Sequence, residues 1–200
     1  MKATDLETRE KIMKCTLELV KSEKDYSKIT IRRIVSAAGV SLSAVNYHFG
    51  SKERLINEVI EKPIFEFLSS GVNPYEKYAA DPVKMLKEAV KLPARYLAEN
   101  PNISRVSILS DMTAPIDSDL TGQTINYLMP AAGAALPGMD EKAIGLELWS
   151  LISLIQTAFL RSRAFSRMTG VDFFSDEDRD AFLEKYVDIL ICKNRGVACD

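Results

Sequence analysis

The stretch GVSLSAVNYHFGSKERL, residues 39–55, gathers the groups in this chain best suited to recognition chemistry. It sets Asn46, Tyr47 and His48 side by side, His48 being the one histidine of the chain, and follows them with a glycine, Ser51 and Lys52. An amide that donates and accepts at once can pair with a base edge, and a phenol, an imidazole and an ammonium can each donate to a phosphate oxygen. As a catalytic set they are poorly supported. No Gly-rich phosphate loop, nucleophile elbow or second histidine accompanies them, whereas an enzyme needs an acid, base or nucleophile in a pocket. Carboxylates such as Asp111, Asp117, Asp119 and the Asp176–Asp180 run keep a carboxylate-only hydrolase as an alternative, although the last run suits a helix N-terminus. Cys15, Cys192 and Cys199 are far apart and form no CxxC pair, so no metal and no cofactor is expected.

These groups need elements to hold them. Apolar residues recur at three- and four-residue spacing and strand signals are scarce, so the chain reads as all-α. A first helix is expected over about Leu6 to Glu23. Thr30 caps a second, Ile31 to Ala38, which Gly39 closes. Ser41 caps a third through Phe49, Gly50 breaks it, and Ser51 caps a fourth that Pro63 kinks or ends. Gly71 to Asp81 reads as a loop. Asp81-Pro82 opens a helix to about Glu99 with a kink at Pro93, a short helix runs to about Asp111, and another spans about Asp117 to Leu136, disturbed by Pro130. Asp140 opens one long apolar stretch to Phe165, Met168 to Ser175 is a loop, and Asp176 caps a final helix with acids at its start and bases at its end.

The second and third helices, joined by a few residues around Gly39, have a helix-turn-helix layout. Ile34, Val35, Ala38, Val40, Val45 and Phe49 would pack inward, leaving Leu42, Ser43, Ala44, Asn46, Tyr47 and His48 facing out on a helix that fits a major groove. The run TIRRIVSAAGVSLSAVNYHFGSKERLI closely resembles the DNA-binding head of the TetR family of bacterial transcriptional repressors. The resemblance covers about residues 9–60 and rests on Thr30, on Ala38-Gly39-Val40-Ser41 at the turn, on Tyr47-His48-Phe49 and on Ser51-Lys52-Glu53. Two departures stand out. Asp25 precedes Tyr26 where the family usually has glycine, which would put an aspartate in a left-handed conformation. Leu42-Ser43-Ala44 replaces the family's usual lysine, threonine or glycine at the start of the third helix, which bears on base preference.

In this reading the head, residues 1–52, binds double-stranded DNA and residues 53–200 form a helical regulatory and dimerisation body. Ser43 and Ala44 would touch bases, and Asn46 would pair with an adenine edge or face the first helix instead. Tyr47, His48, Lys52 and Thr30 would hold phosphates. Arg32 reads as a backbone contact or an ordinary surface charge, and Ser41 as a cap first and a DNA contact second. The charge distribution agrees: residues 1–62 hold 12 basic and 9 acidic side chains, while the whole chain is at -2.

A single small head contacts few bases, so a homodimer on a near-palindromic operator is expected. Its interface would be the last two long helices, through Leu148, Leu151, Ile152, Ile155, Phe182, Tyr186, Val187 and Leu190. The resemblance further implies repression released by a small, largely apolar effector, with a ligand-independent DNA binder or an activator as alternatives. Broken helices at Pro93, Pro101, Pro115, Pro130 and Pro137 suggest a loosely packed body. The pocket candidates are Met85, Arg95, Tyr96, Arg105, Met112, Tyr127, Met129, Trp149, Gln156 and Phe159, and the competing reading is that these side chains simply fill the core. The fourth helix would be the only continuous link from head to body. No apolar run opens the chain and no window approaches the ~20 apolar residues of a membrane span, so a cytoplasmic location is expected.

Overall fold

The computed structural model describes residues 3–23, 25–70, 73–113 and 119–195. Every regular element among them is a helix: α1 (Ala3–Ser22), a 3-10 turn (Tyr26–Lys28), α2 (Ile31–Ala38), α3 (Leu42–Phe49), α4 (Lys52–Ser70), α5 (Pro74–Lys77), α6 (Pro82–Glu99), α7 (Pro101–Thr113), α8 (Leu120–Ala135), α9 (Glu141–Leu160), α10 (Ser162–Thr169) and α11 (Asp176–Arg195). The expected helix start at Asp117, the break at Pro115 and Cys199 lie outside the described residues.

Caps set most of the starts. Thr30 Oγ1 accepts from Arg33 N at 3.3 Å, Ser41 Oγ from Ala44 N at 3.2 Å and Ser51 Oγ from Arg54 N at 3.1 Å. Asp140 accepts from Lys142 N and Ala143 N to start α9. At α11 the expectation is corrected by one residue: Ser175 precedes the helix and accepts from Asp178 N at 3.3 Å, so Asp176 is already inside it. Asp25 takes an extended backbone, φ -112 and ψ 107, and caps the 3-10 turn through Ser27 N, so the expected left-handed aspartate does not occur.

Three further expectations change. Pro63, Pro93 and Pro130 lie inside α4, α6 and α8 and end none of them; beyond the last two, Ala94 and Tyr96 of α6 and Ala131, Ala132 and Ala135 of α8 are buried in the core. The expected 71–81 loop contains α5, started by Asn73 and by Pro74 at its first turn. The stretch after Asp140 is two helices, since Arg161 leaves helical geometry at φ -117 and ψ 32.

Two compact units result: Met1–Phe67 with Asn100–Leu120, and Leu68–Glu99 with Thr121–Asp200. They are not cut at 52/53, because Leu55, Ile56, Val59 and Ile60 of α4 are buried in the first unit and α7 packs on α1 and the 3-10 turn. The chain therefore passes from one unit to the other at Phe67, Glu99 and Leu120, and α4 is not the only covalent link. The first unit's core is Ile12, Val20, Ile29, Ile34, Ala38, Val45 and Phe49 with those α4 residues and Ile103, Val106 and Ile108 of α7.

In the second unit α6 lies along α11 and also meets α9. Three ion pairs line the α6–α11 seam: Lys87–Asp188 at 2.6 Å, Lys91–Glu184 at 2.5 Å and Arg95–Asp180 at 3.5 Å. Lys91 is buried and also meets Glu88 at 2.8 Å. Burial pushes its ammonium down, but the hydrogen bonds it donates to Glu184 and Glu88 outweigh this and hold it above the usual lysine value. Replacing Lys91 by methionine should leave two carboxylates without their cation and lower Tm by roughly 3–8 °C. A raised folded pKa gives stability that is present below the unfolded value and lost as pH rises through the folded one. The gap between wild type and Lys91→Met, read by thermal melts, should therefore persist at pH 7–9 and shrink above about pH 11.

α9 corrects the membrane expectation: Glu141–Leu160 is long and apolar enough to cross one by length and composition, with a mean hydropathy of 1.6 over 18 residues. In the fold its Ile144, Leu148, Leu151, Ile152, Ile155, Ala158 and Phe159 are buried within the chain, as in a core helix of a folded domain.

Candidate nucleic-acid interface

The turn between α2 and α3 depends on Gly39, at φ 59 and ψ 39, a left-handed conformation costly for a side chain with Cβ. Its N–H reaches back to the carbonyls of Ser36 and Val35, which closes α2. Val45 and Phe49 then bury one side of α3, with Arg9 of α1 stacked 5.2 Å from the Phe49 ring centroid and ion-paired with Glu58 of α4. Gly50, at φ 75 and ψ -50, ends α3 and lets α4 begin two residues later.

What remains is the outward side of α3. Leu42, Ser43, Asn46 and Tyr47 are exposed there, Tyr47 at 74%, while Ala44 and His48 are half-buried. Asn46 therefore faces solvent, away from the seam with the first helix. Ser41 and Ser43 hydroxyls lie 2.8 Å apart and share one hydrogen bond, and the Tyr47 and His48 rings meet edge to face at 5.0 Å. Thr30 and Arg32 are exposed on α2 and its cap. The two neighbouring arginines separate: Arg33 is taken by Glu23 at 2.7 Å and the Lys28 carbonyl at 2.8 Å, whereas Arg32 has no ion pair among the described residues. The Arg33 hydrogen bond holds the Glu23 carboxyl below its usual range. Lys52 is the first residue of α4, 3.6 Å from Glu53 Oε1. This brings the nine candidate residues into one unit, with donors, an ammonium and a helix N-terminus on hand.

Elsewhere the candidates fare differently. Of the eight residues expected at a dimer interface, Leu148, Leu151, Ile152, Ile155, Val187 and Leu190 are at most 3% exposed in the single chain. Phe182 and Tyr186 stay half-buried and, with Val171 and Ile189, line a groove of about 540 Å³ beside α11. The large apolar side chains left facing out on these helices are Leu146, Trp149 and Ile189, at 67%, 54% and 46% exposure.

The pocket candidates are divided between the two units. Arg105 and Met112 belong to the first unit and the others to the second. Trp149 and Met112 are exposed, Arg95 is ion-paired with Asp180, and Phe159 packs on Phe173 and Phe174 in an aromatic cluster. Gln156 donates to Thr121 Oγ1 at 2.8 Å in the interior. Met85 and Tyr96 of α6 are buried and Tyr127 and Met129 of α8 are half-buried, with burial raising the Tyr96 and Tyr127 phenols to about 12. Tyr75 of α5, which sequence reasoning passed over inside a supposed loop, stacks edge-on against Tyr127 at 5.5 Å and donates to its carbonyl. Besides the groove at α11, one of about 370 Å³ lies between α1 and α4 and one of about 750 Å³ along α10, and none of the three is lined by a pocket candidate. Among the described residues no cluster of three His, Cys, Asp or Glu side chains could hold a metal ion.

A helix-turn-helix with its second helix bare on one side, backed by a third helix and followed by a capped fourth, has the layout of a DNA-binding head. Residues 18–59 match the family described as bacterial regulatory proteins, tetR family. Solved structures agree on the fold. A TetR transcriptional regulator from Rhodococcus sp. RHA1 superposes with a TM-score of 0.57 at 19% identity, over 94% of this chain and 98% of its own. The TetR family repressor AlkX from Dietzia sp. strain DQ12-45-1b gives 0.56 at 16%, over 94% and 96%. Among curated proteins, the nucleoid occlusion factor SlmA of Vibrio cholerae is 29% identical over 120 residues, which is 60% of each chain, and that of Vibrio atlanticus is 25% identical over 169 residues, 77% of this chain and 84% of its own. The match thus spans less than two thirds of the Vibrio cholerae relative's length.

Proposed function

We propose that the chain is a cytoplasmic, homodimeric repressor that reads a near-palindromic operator with α3 and lets go when a small, largely apolar molecule occupies its second unit. The observation that carries the DNA-reading part is the bare, polar and rigidly backed side of α3 beside the N-terminus of α4. Ser43, Ala44 and Asn46 contact bases. Tyr47, His48, Lys52 and Thr30 hold phosphates, Arg32 adds a backbone contact, and Ser41 serves first as the cap. Functionally the head ends near residue 52 and the remainder regulates and dimerises, without catalysis, metal or cofactor.

The dimer forms through α9 and α11, using Leu146, Trp149 and Ile189 together with Phe182 and Tyr186. Leu146 and Trp149 share one side of α9, and Phe182, Tyr186 and Ile189 share one side of α11, so each helix presents a stripe. The effector reading is supported by Tyr127, whose hydroxyl is shielded from solvent with no hydrogen-bond partner among the described residues. A ligand acceptor beside it would remove that cost.

A second reading, ligand-independent DNA binding, is favoured by the recurrence of nucleoid occlusion factors among the relatives and by grooves whose linings hold none of the pocket candidates. A gel-shift assay on the DNA upstream of the chain's own gene tests both. Retardation reversed by apolar or acidic metabolites supports the repressor, retardation that no ligand reverses supports the second reading, and no retardation of this or random duplex at low salt overturns both.

A further inference from the structure

Tyr26 opens the 3-10 turn after α1, and its ring lies beneath Lys52, with the ammonium 4.6 Å from the ring centroid. On its far side the Tyr26 hydroxyl makes a long hydrogen bond, 3.5 Å, to Ser110 Oγ of α7, a residue only 1% exposed. Four residues from three elements of the first unit therefore meet at the start of α4: Tyr26, Ser110, Lys52 and Glu53, the last 3.6 Å from the same ammonium. We propose that Tyr26 is a positioning residue for DNA binding, its ring holding the Lys52 ammonium where it meets a backbone phosphate. The proposal rests on the reading of Lys52 as a phosphate anchor.

A free lysine stem samples many rotamers and loses that freedom when its ammonium binds a phosphate. The negative face of an aromatic ring attracts the cation and removes part of that loss in advance. A ring suits the task better than a carboxylate. It bears no net charge, so it does not repel the incoming phosphate, and it engages one side of the ammonium while N–H donors remain free on the other. Glu53 alone would hold the ammonium too, but it would compete with the phosphate for it. Ser110 fixes the outer end of the ring from the buried side of α7.

The whole chain, titrated into a mixed-sequence 40-base-pair duplex across a range of salt by fluorescence anisotropy, tests this. Tyr26→Leu should weaken binding by about 3- to 10-fold and flatten the salt dependence towards that of Lys52→Ala, while Tyr26→Phe, which keeps the ring, should stay within about twofold of wild type. In a Lys52→Ala background Tyr26→Leu should add nothing. Equal losses in both backgrounds would overturn the proposal, since Tyr26 would then act on the fold and not on Lys52. If Lys52→Ala itself changed neither affinity nor salt dependence, the anchor reading would fall and the positioning role with it. A measurement on the wild-type chain does not depend on any variant folding: the Lys52 ε-protons should resonate upfield of those of exposed lysines in the NMR spectrum. An unshifted resonance would overturn the placement over the ring even if Lys52 does bind phosphate.

Discussion

Reversing the charge at the start of α4, Lys52→Glu, is expected to weaken binding to every duplex by roughly 30- to 100-fold at 0.1 M salt. Two effects add. One phosphate contact disappears, which flattens the plot of log affinity against log salt by about one unit, and a carboxylate then faces the phosphate. The loss should be the same for all sequences, because a phosphate carries no base information. Lys52→Ala should show the slope change with a smaller loss, about 10-fold. The fold should survive both, because Lys52 is half-buried at a helix start and its ammonium engages only the Tyr26 ring and Glu53 among the described residues, interactions worth about 1 kcal/mol or less at such a site. An Asn46→Ala variant should differ in kind: its loss, from the exposed side of α3, should fall on the operator and spare random DNA.

The second large effect concerns assembly. Glutamates at Leu146 and Trp149 together should convert a dimer to monomers in light scattering and cost at least ~100-fold in operator affinity through loss of the second head. Both side chains are more than half exposed in the single chain, so a charge there should leave the helix content and the fold intact. A glutamate at Leu190 should behave otherwise. That residue is 3% exposed, and a buried unpaired carboxylate costs several kcal/mol, so the expected result is a lower Tm or failure to fold. If the double variant keeps the dimer mass, α9 is not the interface. A wild-type chain that is monomeric at micromolar concentration would remove the dimer altogether.

The contrast between Leu146 and Leu190 also shows what could be read from the sequence. Caps are local chemistry, so Thr30, Ser41 and Asp140 are legible as helix starts from a few neighbouring residues. The left-handed glycine at 39 and the inward set Ile34, Ala38, Val45 and Phe49 follow from spacing alone, and with them the outward residues of α3. A helix that is apolar on several sides gives no such guidance. In α9 the choice between Leu148, which is buried, and Trp149, which is exposed, depends on which neighbour the helix packs against, and that neighbour is far away in sequence. The break at Arg161 has no glycine or proline to mark it, and α5 is too short for periodicity although Asn73-Pro74 signals its start. Side-chain type, the only mark of the pocket candidates in the sequence, says nothing of which unit a residue joins. Arg105 and Met112 end up with the head because α7 packs on α1. The placement of Tyr26 under Lys52, 26 positions on, is likewise a tertiary fact.

The central claim, that α3 and the start of α4 are the DNA-reading surface, is tested most directly by titrating the isotopically labelled chain with a short duplex and following each backbone amide by NMR. The predicted result is that the amides of residues 30–32, 41–48 and 51–54 shift or broaden first and together, while those of α9 and α11 stay in place at low DNA ratios. Shifts confined to the second unit, or spread evenly over basic residues of both units with α3 unmoved, would contradict it.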